Sequence, residues 1–356
     1  MRRRKRLLGH AGARLEDYCA HHLEQKEAAG RVTPQHLAIR QTLKVAVEHL
    51  GSESPLDAIG VREVQDFMAA LARRPNRRGG TLSAAARRQY LNNLSNVYRR
   101  AQAEDVVPPG FNPCAALMDK PQPKRHEARW LEVHEAALLL ESARTYEPKR
   151  PDMAAPSIHA ILATFLLTSG RKAEVLGLDV EDVSFDRNVI MFRPNKHRRL
   201  KTLTSHRVVP LWPQLRAILR DHLFGRDAAS AGLLFPGPEG RMIGDLDKQL
   251  DVIAARCDWQ VGEIRSRMFR HTYCSARLQT TDAGAAVSPF VVAKELGHGG
   301  MALVNRVYGH VGEIRQRSSV VEYFPEDHKK VLGDRLAALE GVRGGWPRKE
   351  ATARSA

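Results

Sequence analysis

The chain has 356 residues, 43% of them hydrophobic, so it is long enough to form two domains that each bury a core. Its formal net charge is +16 and its pI is about 10.0. This excess indicates a polyanionic partner, with nucleic acid as the first candidate and a membrane surface as the second. No apolar run approaches membrane-spanning length, and the start MRRRKRLLGH has too short an apolar stretch for a signal peptide. Four cysteines without paired spacing argue against a disulfide framework or a zinc site and indicate a reducing cytoplasm.

The first third of the sequence predicts helices. Apolar spacing and cap signals place them at residues 14–26, 33–50, 61–71 and 83–103. The fourth helix is expected to face the core with Leu91, Leu94, Tyr98 and Ala101. Another face of it carries residue types that contact base edges and phosphates, namely Arg88, Asn92, Asn96 and Arg99. A solvated polar face is the alternative, and the charge of the chain favours DNA contact.

A stretch rich in proline and basic residues, from 108 to 129, is typical of an exposed linker. Beyond it, two strands are predicted at residues 189–192 and 207–211, with a basic turn between them. Helices are predicted at residues 136–143, 158–167, 171–176, 213–222, 245–256, 270–278, 291–296, 302–308 and 328–339. The fold class is therefore mainly α with a small β-sheet: an all-helical first domain followed by an α+β second domain.

Two arginines of the second half suit a phosphate clamp. Arg171 follows a glycine at a helix start, where free backbone N–H groups also favour anions, and its guanidinium can bind two oxygens at once. Glu174 would lie on the same helix face and could orient it, although a surface salt bridge is the simpler reading of this pair. Arg270 begins the run RHTYCSARL, in which His271 completes no metal site. The chain has no HExxH or CxxC pattern, so no metal is expected.

The segment from residue 193 to residue 207 is a predicted β-hairpin with six Lys or Arg residues. Such a hairpin can place a lysine in a groove beside a phosphate. Lys201 is the candidate general acid, and Lys196 is the alternative. For each lysine, the other reading is a contact with the DNA backbone that takes no part in the chemistry. The basic side chains of this hairpin that are predicted to bind DNA are Lys196, Arg198, Arg199 and Arg207.

The run LGHGGMALVNRVYGHV contains His298 and, ten residues later, Tyr308. On one straight helix the two would be about 15 Å apart, but Gly299 and Gly300 allow the chain to turn between them. Polar neighbours argue against a core role for Tyr308. A tyrosine hydroxyl can attack a phosphate without metal or water when cations hold the developing charge.

These blocks together resemble the tyrosine recombinase, or phage integrase, family. The resemblance is carried by LLTSGRKAEVLGLDVEDV, KTLTSHRVVPL, MFRHTYCSARL and LGHGGMALVNRVYGHV, and it covers essentially the whole chain. It implies an N-terminal core-binding domain and a catalytic domain of that family. The implied boundaries are a basic tail at 1–12, the helical DNA-binding domain at 13–118, a linker at 119–129, the catalytic domain at 130–340 and a tail at 341–356.

The resemblance implies a role for each site residue. Tyr308 is the nucleophile that forms a 3′-phosphotyrosine, and Arg171 and Arg270 clamp the scissile phosphate. Lys201 protonates the 5′-hydroxyl leaving group, His298 hydrogen-bonds the phosphate, and Glu174 supports Arg171. Such an enzyme needs no ATP, metal or other cofactor. It works as a tetramer on two DNA sites, in the cytoplasm with the nucleoid and without a membrane.

One position departs from the family pattern. Arg267 stands where a histidine is usual, three residues before Arg270, and an arginine cannot act as a base near neutral pH. Only about a dozen residues precede the first helix, which favours a simpler recombinase, an integrative-element integrase or a transposon-encoded enzyme of a mobile genetic element. Two alternatives remain: a type IB topoisomerase, and a catalytically silent DNA-binding protein of the same fold.

Overall fold

The computed structural model describes residues 12–28, 34–76, 79–123, 128–147, 157–198, 205–224, 232–302, 304 and 318–341. The chain divides into two compact units, residues 1–126 and residues 127–356. Each has its own hydrophobic core. Three of the predicted site residues lie outside the described residues, namely Tyr308, Lys201 and Arg199.

The described part of the first unit is helical. Its helices are α1 (Leu15–Ala28), α2 (Pro34–Leu50), α3 (Val61–Arg73), α4 (Ala84–Ala103) and α5 (Pro113–Ala116), with a 3₁₀ turn at Leu56–Ala58. The hydroxyl of Ser83 accepts a hydrogen bond from the Ala86 N–H at 3.2 Å and caps α4. The predicted core face of α4 is confirmed, because Leu91, Leu94, Tyr98 and Ala101 are all buried.

Part of the stretch at residues 108–129, which its composition predicts to be an exposed linker, is packed into the first unit. Residues 113–116 form α5, and Cys114 and Leu117 are buried in the core of the first unit. Asn112 caps α5 through the Ala115 N–H and donates to the Ser95 carbonyl at 3.1 Å. The prolines here therefore shape a packed turn of the first unit, whereas composition alone made them typical of a linker.

The second unit combines helices with two small antiparallel sheets. Its helices are α6 (Val133–Arg144), α7 (Ile158–Thr168), α8 (Lys172–Leu176), α9 (Pro213–Phe224), α10 (Asp247–Ala255), α11 (Ser266–Leu278), α12 (Pro289–Glu295) and α13 (Lys329–Gly341), with 3₁₀ turns at Val180–Asp182, Pro238–Gly240 and Pro325–His328. Its strands are β1 (Val183–Ser184), β2 (Val189–Phe192), β3 (Arg207–Pro210), β4 (Thr281–Asp282) and β5 (Ala285–Ala286). Helix α7 is buried along nearly its whole length and packs against α6, α9 and α11. The fold class predicted from the sequence is confirmed.

Two details of the second unit differ from the prediction. The unit contains two separate sheets, β1-β2-β3 and β4-β5, where only one sheet had been expected. Helix α11 starts four residues earlier than predicted, because Met268 and Phe269 are buried in the core as part of its first turns. Helix α13 packs on its own unit through the buried Leu332 and Leu339.

Candidate active site

The site begins at the junction between α7 and α8. Ser169 adopts left-handed backbone angles (φ 60°) and Gly170 follows it in a space too tight for a side chain. A Cβ atom on Gly170 would lie 2.4 Å from Cγ2 of Val175 and 2.9 Å from Cζ of Phe192. The next residue, Arg171, caps α8. The lack of a side chain at Gly170 therefore allows the chain to pass close to Val175 and Phe192, and this fixes the position of Arg171 at the start of α8.

Glu174 holds the Arg171 side chain from beneath. Nη1 of Arg171 donates to Oε1 of Glu174 at 2.6 Å and to the hydroxyl of Ser205 at 3.3 Å, while the Arg171 N–H donates to Oε2 of Glu174 at 2.9 Å. Burial acts to raise the pKa of the Glu174 carboxyl, but the charge and hydrogen bond of Arg207, with those of Arg171, outweigh burial and keep that pKa below its ordinary value. A third of the Arg171 side chain remains exposed, so it can still meet a ligand.

Arg270 connects the two loops that carry the other site residues. From α11, its Nη1 donates to the carbonyl of Ser169 at 2.9 Å and its Nη2 donates to the carbonyl of Leu296. Ser169 lies two residues before Arg171, and Leu296 lies two residues before His298. Arg171, Arg270 and His298, which are far apart in the sequence, therefore lie near one another in the fold.

His298 sits in a tight turn after α12. The left-handed residue of this turn is Gly297 (φ 65°). Gly299 and Gly300, which were expected to let the chain turn between His298 and Tyr308, lie in a bend directly after His298. The His298 N–H donates to the carbonyl of Ala293 at 2.9 Å. Within the described part of the chain, the buried Nδ1 of the ring has no hydrogen-bond partner. The imidazole is thus fixed by its backbone and keeps a ring nitrogen for a ligand.

The charge state of His298 follows from its surroundings. Burial lowers the pKa of its imidazole to about 4, and the charges of Arg270 and Arg171 act in the same direction. The ring is neutral near pH 7 and can donate from one nitrogen and accept at the other.

Two of the arginines predicted to contact DNA are buried instead. Arg198 is 5% exposed and Arg207 is 7% exposed. Arg198 donates to Asp182 Oδ2 at 3.1 Å and to the carbonyls of Glu174 and Gly177 at the end of α8. Arg207 donates to Glu174 Oε2 at 2.9 Å and lies over the ring of Phe192, with its guanidinium carbon 4.2 Å from the ring centroid. These two guanidinium groups brace the site from within, because a buried cation needs such partners.

The remaining predicted residues differ in exposure. Lys196 is exposed, and Arg267 is exposed on the first turn of α11. On α4 of the first unit, Asn92 and Arg99 are exposed, and Arg88 and Asn96 are partly so. Positions 88, 92, 96 and 99 fall on one helix face at 3.6 residues per turn.

Sequence reasoning did not identify two charged residues behind the site, Arg277 and Glu295. Both are buried, and they form an ion pair. Their spacing of 18 residues left no local pattern that could reveal the pair. Among the described residues, no three His, Cys, Asp or Glu side chains converge in a way that could hold a metal ion. In the same part of the chain, no helix has the length and apolar character needed to cross a membrane.

Comparison with known proteins identifies the family. Residues 129–314, just over half of the chain, match the model of the phage integrase family. The chain therefore belongs to the phage integrase family, as its motifs predicted.

Relatives and solved structures agree with this assignment. Tyrosine recombinase XerD of Brucella suis biovar 1 (strain 1330) is 26% identical over 301 residues, which span 80% of this chain and 89% of the relative. XerD of Mycobacterium tuberculosis (strain ATCC 25618 / H37Rv) is 24% identical over 287 residues, spanning 80% and 88%. The fold is similar to that of the Tn1549 transposon integrase in complex with a circular intermediate DNA (TM-score 0.63, 17% identity, 83% of this chain and 95% of that one). It is also similar to a lambda integrase dimer bound to a COC′ core site (TM-score 0.57, 12% identity, 88% and 82%).

Proposed function

We propose that this chain is a site-specific DNA recombinase that cuts and rejoins strands through a 3′-phosphotyrosine on Tyr308. The observation that carries the proposal is the convergence of Arg171, Arg270 and His298 from three distant segments. Two fixed cations and a neutral ring nitrogen without a partner are the groups that a phosphate in transfer needs around it.

The reaction follows from these groups. The Tyr308 oxygen attacks the scissile phosphorus while Arg171 and Arg270 hold the non-bridging oxygens. A bond forms between this oxygen and phosphorus, the bond from phosphorus to the 5′-oxygen breaks, and Lys201 (or Lys196) gives that oxygen a proton. A 5′-hydroxyl from a partner strand then attacks the phosphotyrosine and releases Tyr308. The number of phosphodiester bonds is unchanged, so the cycle needs no ATP.

The departing tyrosine proton needs an acceptor. Arg267 cannot take it, since a guanidinium stays protonated near neutral pH. The neutral ring of His298 can accept a proton, and water or the phosphate itself can also do so. We therefore assign phosphate contact and assistance in proton transfer to His298.

The binding partner that we propose is double-stranded DNA carrying the recombination site. We assign residues 13–118 as a DNA-binding domain, with Arg88, Asn92, Asn96 and Arg99 of α4 facing the duplex, and residues 130–340 as the catalytic domain. Lys196 and Arg199 contribute further contacts from the hairpin. We expect a tetramer on two DNA sites and, because the substrate is DNA, a cytoplasmic location with the nucleoid. The DNA-bound integrases of similar fold support this assignment.

Covalent capture tests the nucleophile directly. A site selected from a random duplex pool by binding to the protein is rebuilt as a nicked duplex, so that the strand downstream of cleavage diffuses away and the intermediate accumulates. The wild type is expected to give an SDS-stable protein–DNA adduct, and Tyr308→Phe none. Tyr146→Phe removes a phenol hydroxyl elsewhere in the second unit and should leave the adduct unchanged. An adduct with Tyr308→Phe, or none with the wild type, would overturn the proposal.

A further inference from the structure

Three side chains on one face of α11 grip the end of α12. Arg270, Tyr273 and Arg277 are spaced by three and four residues, so they lie along one helix face. Their partners are adjacent in the sequence: Arg270 donates to the carbonyl of Leu296, while Tyr273 and Arg277 both donate to the carboxylate of Glu295. The helix that supplies the second arginine of the site therefore also holds the segment that leads to His298.

The carboxylate of Glu295 is buried and fully engaged. The hydroxyl of Tyr273 donates to its Oε2 at 2.8 Å, and Nε and Nη2 of Arg277 donate to its two oxygens at 3.2–3.3 Å. Glu295 is 6% exposed, Arg277 5% and Tyr273 0%. Arg277 also donates to the hydroxyl of Thr280 and lies over the ring of Trp212.

The main chain of Glu295 makes a second set of contacts. Its carbonyl accepts from Nε of Arg207 at 2.6 Å and from the hydroxyl of Ser169 at 3.2 Å. Ser169 precedes Gly170 and Arg171, and Arg207 binds the Glu174 that supports Arg171. One residue thus joins α11, the Arg171 loop and β3.

Only two residues separate Glu295 from His298. The N–H groups of Gly297 and His298 donate back to carbonyls of the last turn of α12, those of Lys294 and Ala293, at 2.9 Å each. The direction in which α12 ends therefore sets where the imidazole lies.

We infer that Glu295 is a positioning residue that holds His298 against the two arginines of the site, with Arg277 and Tyr273 as its anchors. A buried ion pair contributes little net stability compared with an apolar pair of similar volume. The ion pair between Arg277 and Glu295 instead specifies one arrangement of α11 and α12, because a shifted α12 would leave a buried charge without a partner. This inference rests on the proposed function of the site.

A double-mutant cycle with His298 tests the inference. Glu295→Gln keeps the shape and an acceptor for Tyr273 but removes the charge. If Glu295 acts through His298, the substitution lowers the single-turnover rate of adduct formation by about tenfold in the wild type and by less than about threefold in the His298→Gln background. Affinity for the DNA site should change by less than about twofold in both backgrounds. Equal factors in the two backgrounds, or no effect in the wild type, would overturn the inference.

Two further variants guard against a folding defect. Tyr273→Phe removes one hydrogen bond, and Glu295→Gln with Arg277→Met removes both charges together. Each is expected to repeat the same non-additivity with His298→Gln, and full additivity in both would also overturn the inference.

The matched control is Asp251→Asn. It breaks another carboxylate–arginine pair of the second unit, that with Arg265 at 2.6 Å, and should act by the same factor in both backgrounds. A wild type that forms no Tyr308-dependent adduct would instead contradict the proposed function, so the two failures are distinguishable.

Discussion

At the level of single residues, the ionisation of His298 determines which proton transfers the site can perform. Arg171, Arg267 and Arg270 stay charged at any pH near neutrality. Burial and the nearby arginines lower the pKa of His298 to about 4. Among the predicted catalytic residues that the structure describes, His298 is therefore the one able to accept a proton near pH 7.

The same pKa makes a prediction about acid stability. An unfolded histidine has a pKa of about 6.5, so between pH 6.5 and pH 4 the unfolded chain binds the proton and the folded chain does not. The stability that His298 contributes is complete above pH 6.5 and is lost as the pH falls toward 4. The fall in the free energy of unfolding between pH 7 and pH 4.5 should be smaller in His298→Gln than in the wild type, by about 1–3 kcal/mol.

Urea denaturation at the two pH values measures this difference. The exposed His206 provides the control, and His206→Gln should behave like the wild type. If His298→Gln lost as much stability as the wild type on acidification, folding would not lower the pKa of this imidazole.

At the level of elements, the junction of α7 and α8 depends on Gly170. A methyl group there would overlap Val175 and Phe192, which are both buried. We expect Gly170→Ala to lower the free energy of unfolding by about 1–3 kcal/mol and to slow adduct formation, because Arg171 follows directly. Gly244→Ala is the control, since an added Cβ there meets nothing within 4 Å. Equal denaturation midpoints for the two variants would show that the junction can relax.

The elements that could be predicted from sequence are those with an apolar run, a periodic pattern or a clear capping residue. Strand β2 was predicted with its observed bounds, and Ser83 was placed correctly at the start of α4. Strands β1, β4 and β5 were missed because each has two residues, too few for an alternating pattern.

Only part of the candidate site could be predicted, because a local motif can be read from sequence and a contact between distant residues cannot. Arg171, Arg270 and His298 lie in recognisable local motifs, whereas the interior roles of Arg198 and Arg207 depend on Asp182 and Glu174, which are 16 and 33 residues away. An arginine in a basic hairpin is expected at the surface, and only its folded partners show otherwise. The left-handed turn at Gly297, directly before His298, was not predicted, because a glycine-rich motif does not show which of its glycines adopts a positive φ.

At the scale of the whole molecule, the net charge of +16 does not say where a polyanion binds. In the second unit several arginines are paired with buried carboxylates, as in the pairs of Arg207 with Glu174 and Arg277 with Glu295. In contrast, Arg88 and Arg99 of α4 form no ion pair with any residue that the structure describes. We therefore propose Arg88 and Arg99 as contacts for DNA, whereas the net charge counts paired and unpaired arginines alike.

The salt dependence of DNA affinity distinguishes arginines that contact phosphates from arginines that are held in ion pairs within the protein. Each phosphate contact that is lost should reduce the slope of log Kd against log salt by about 0.9, so Arg88→Gln with Arg99→Gln should reduce it by about 2 and weaken binding to specific and unrelated duplexes alike. The control, Arg14→Gln with Arg40→Gln, removes the same charge from arginines already paired with Glu53 and Glu27. If both double variants reduced the slope equally, the long-range field of the unit would account for binding, and α4 would have no direct contact with the phosphates.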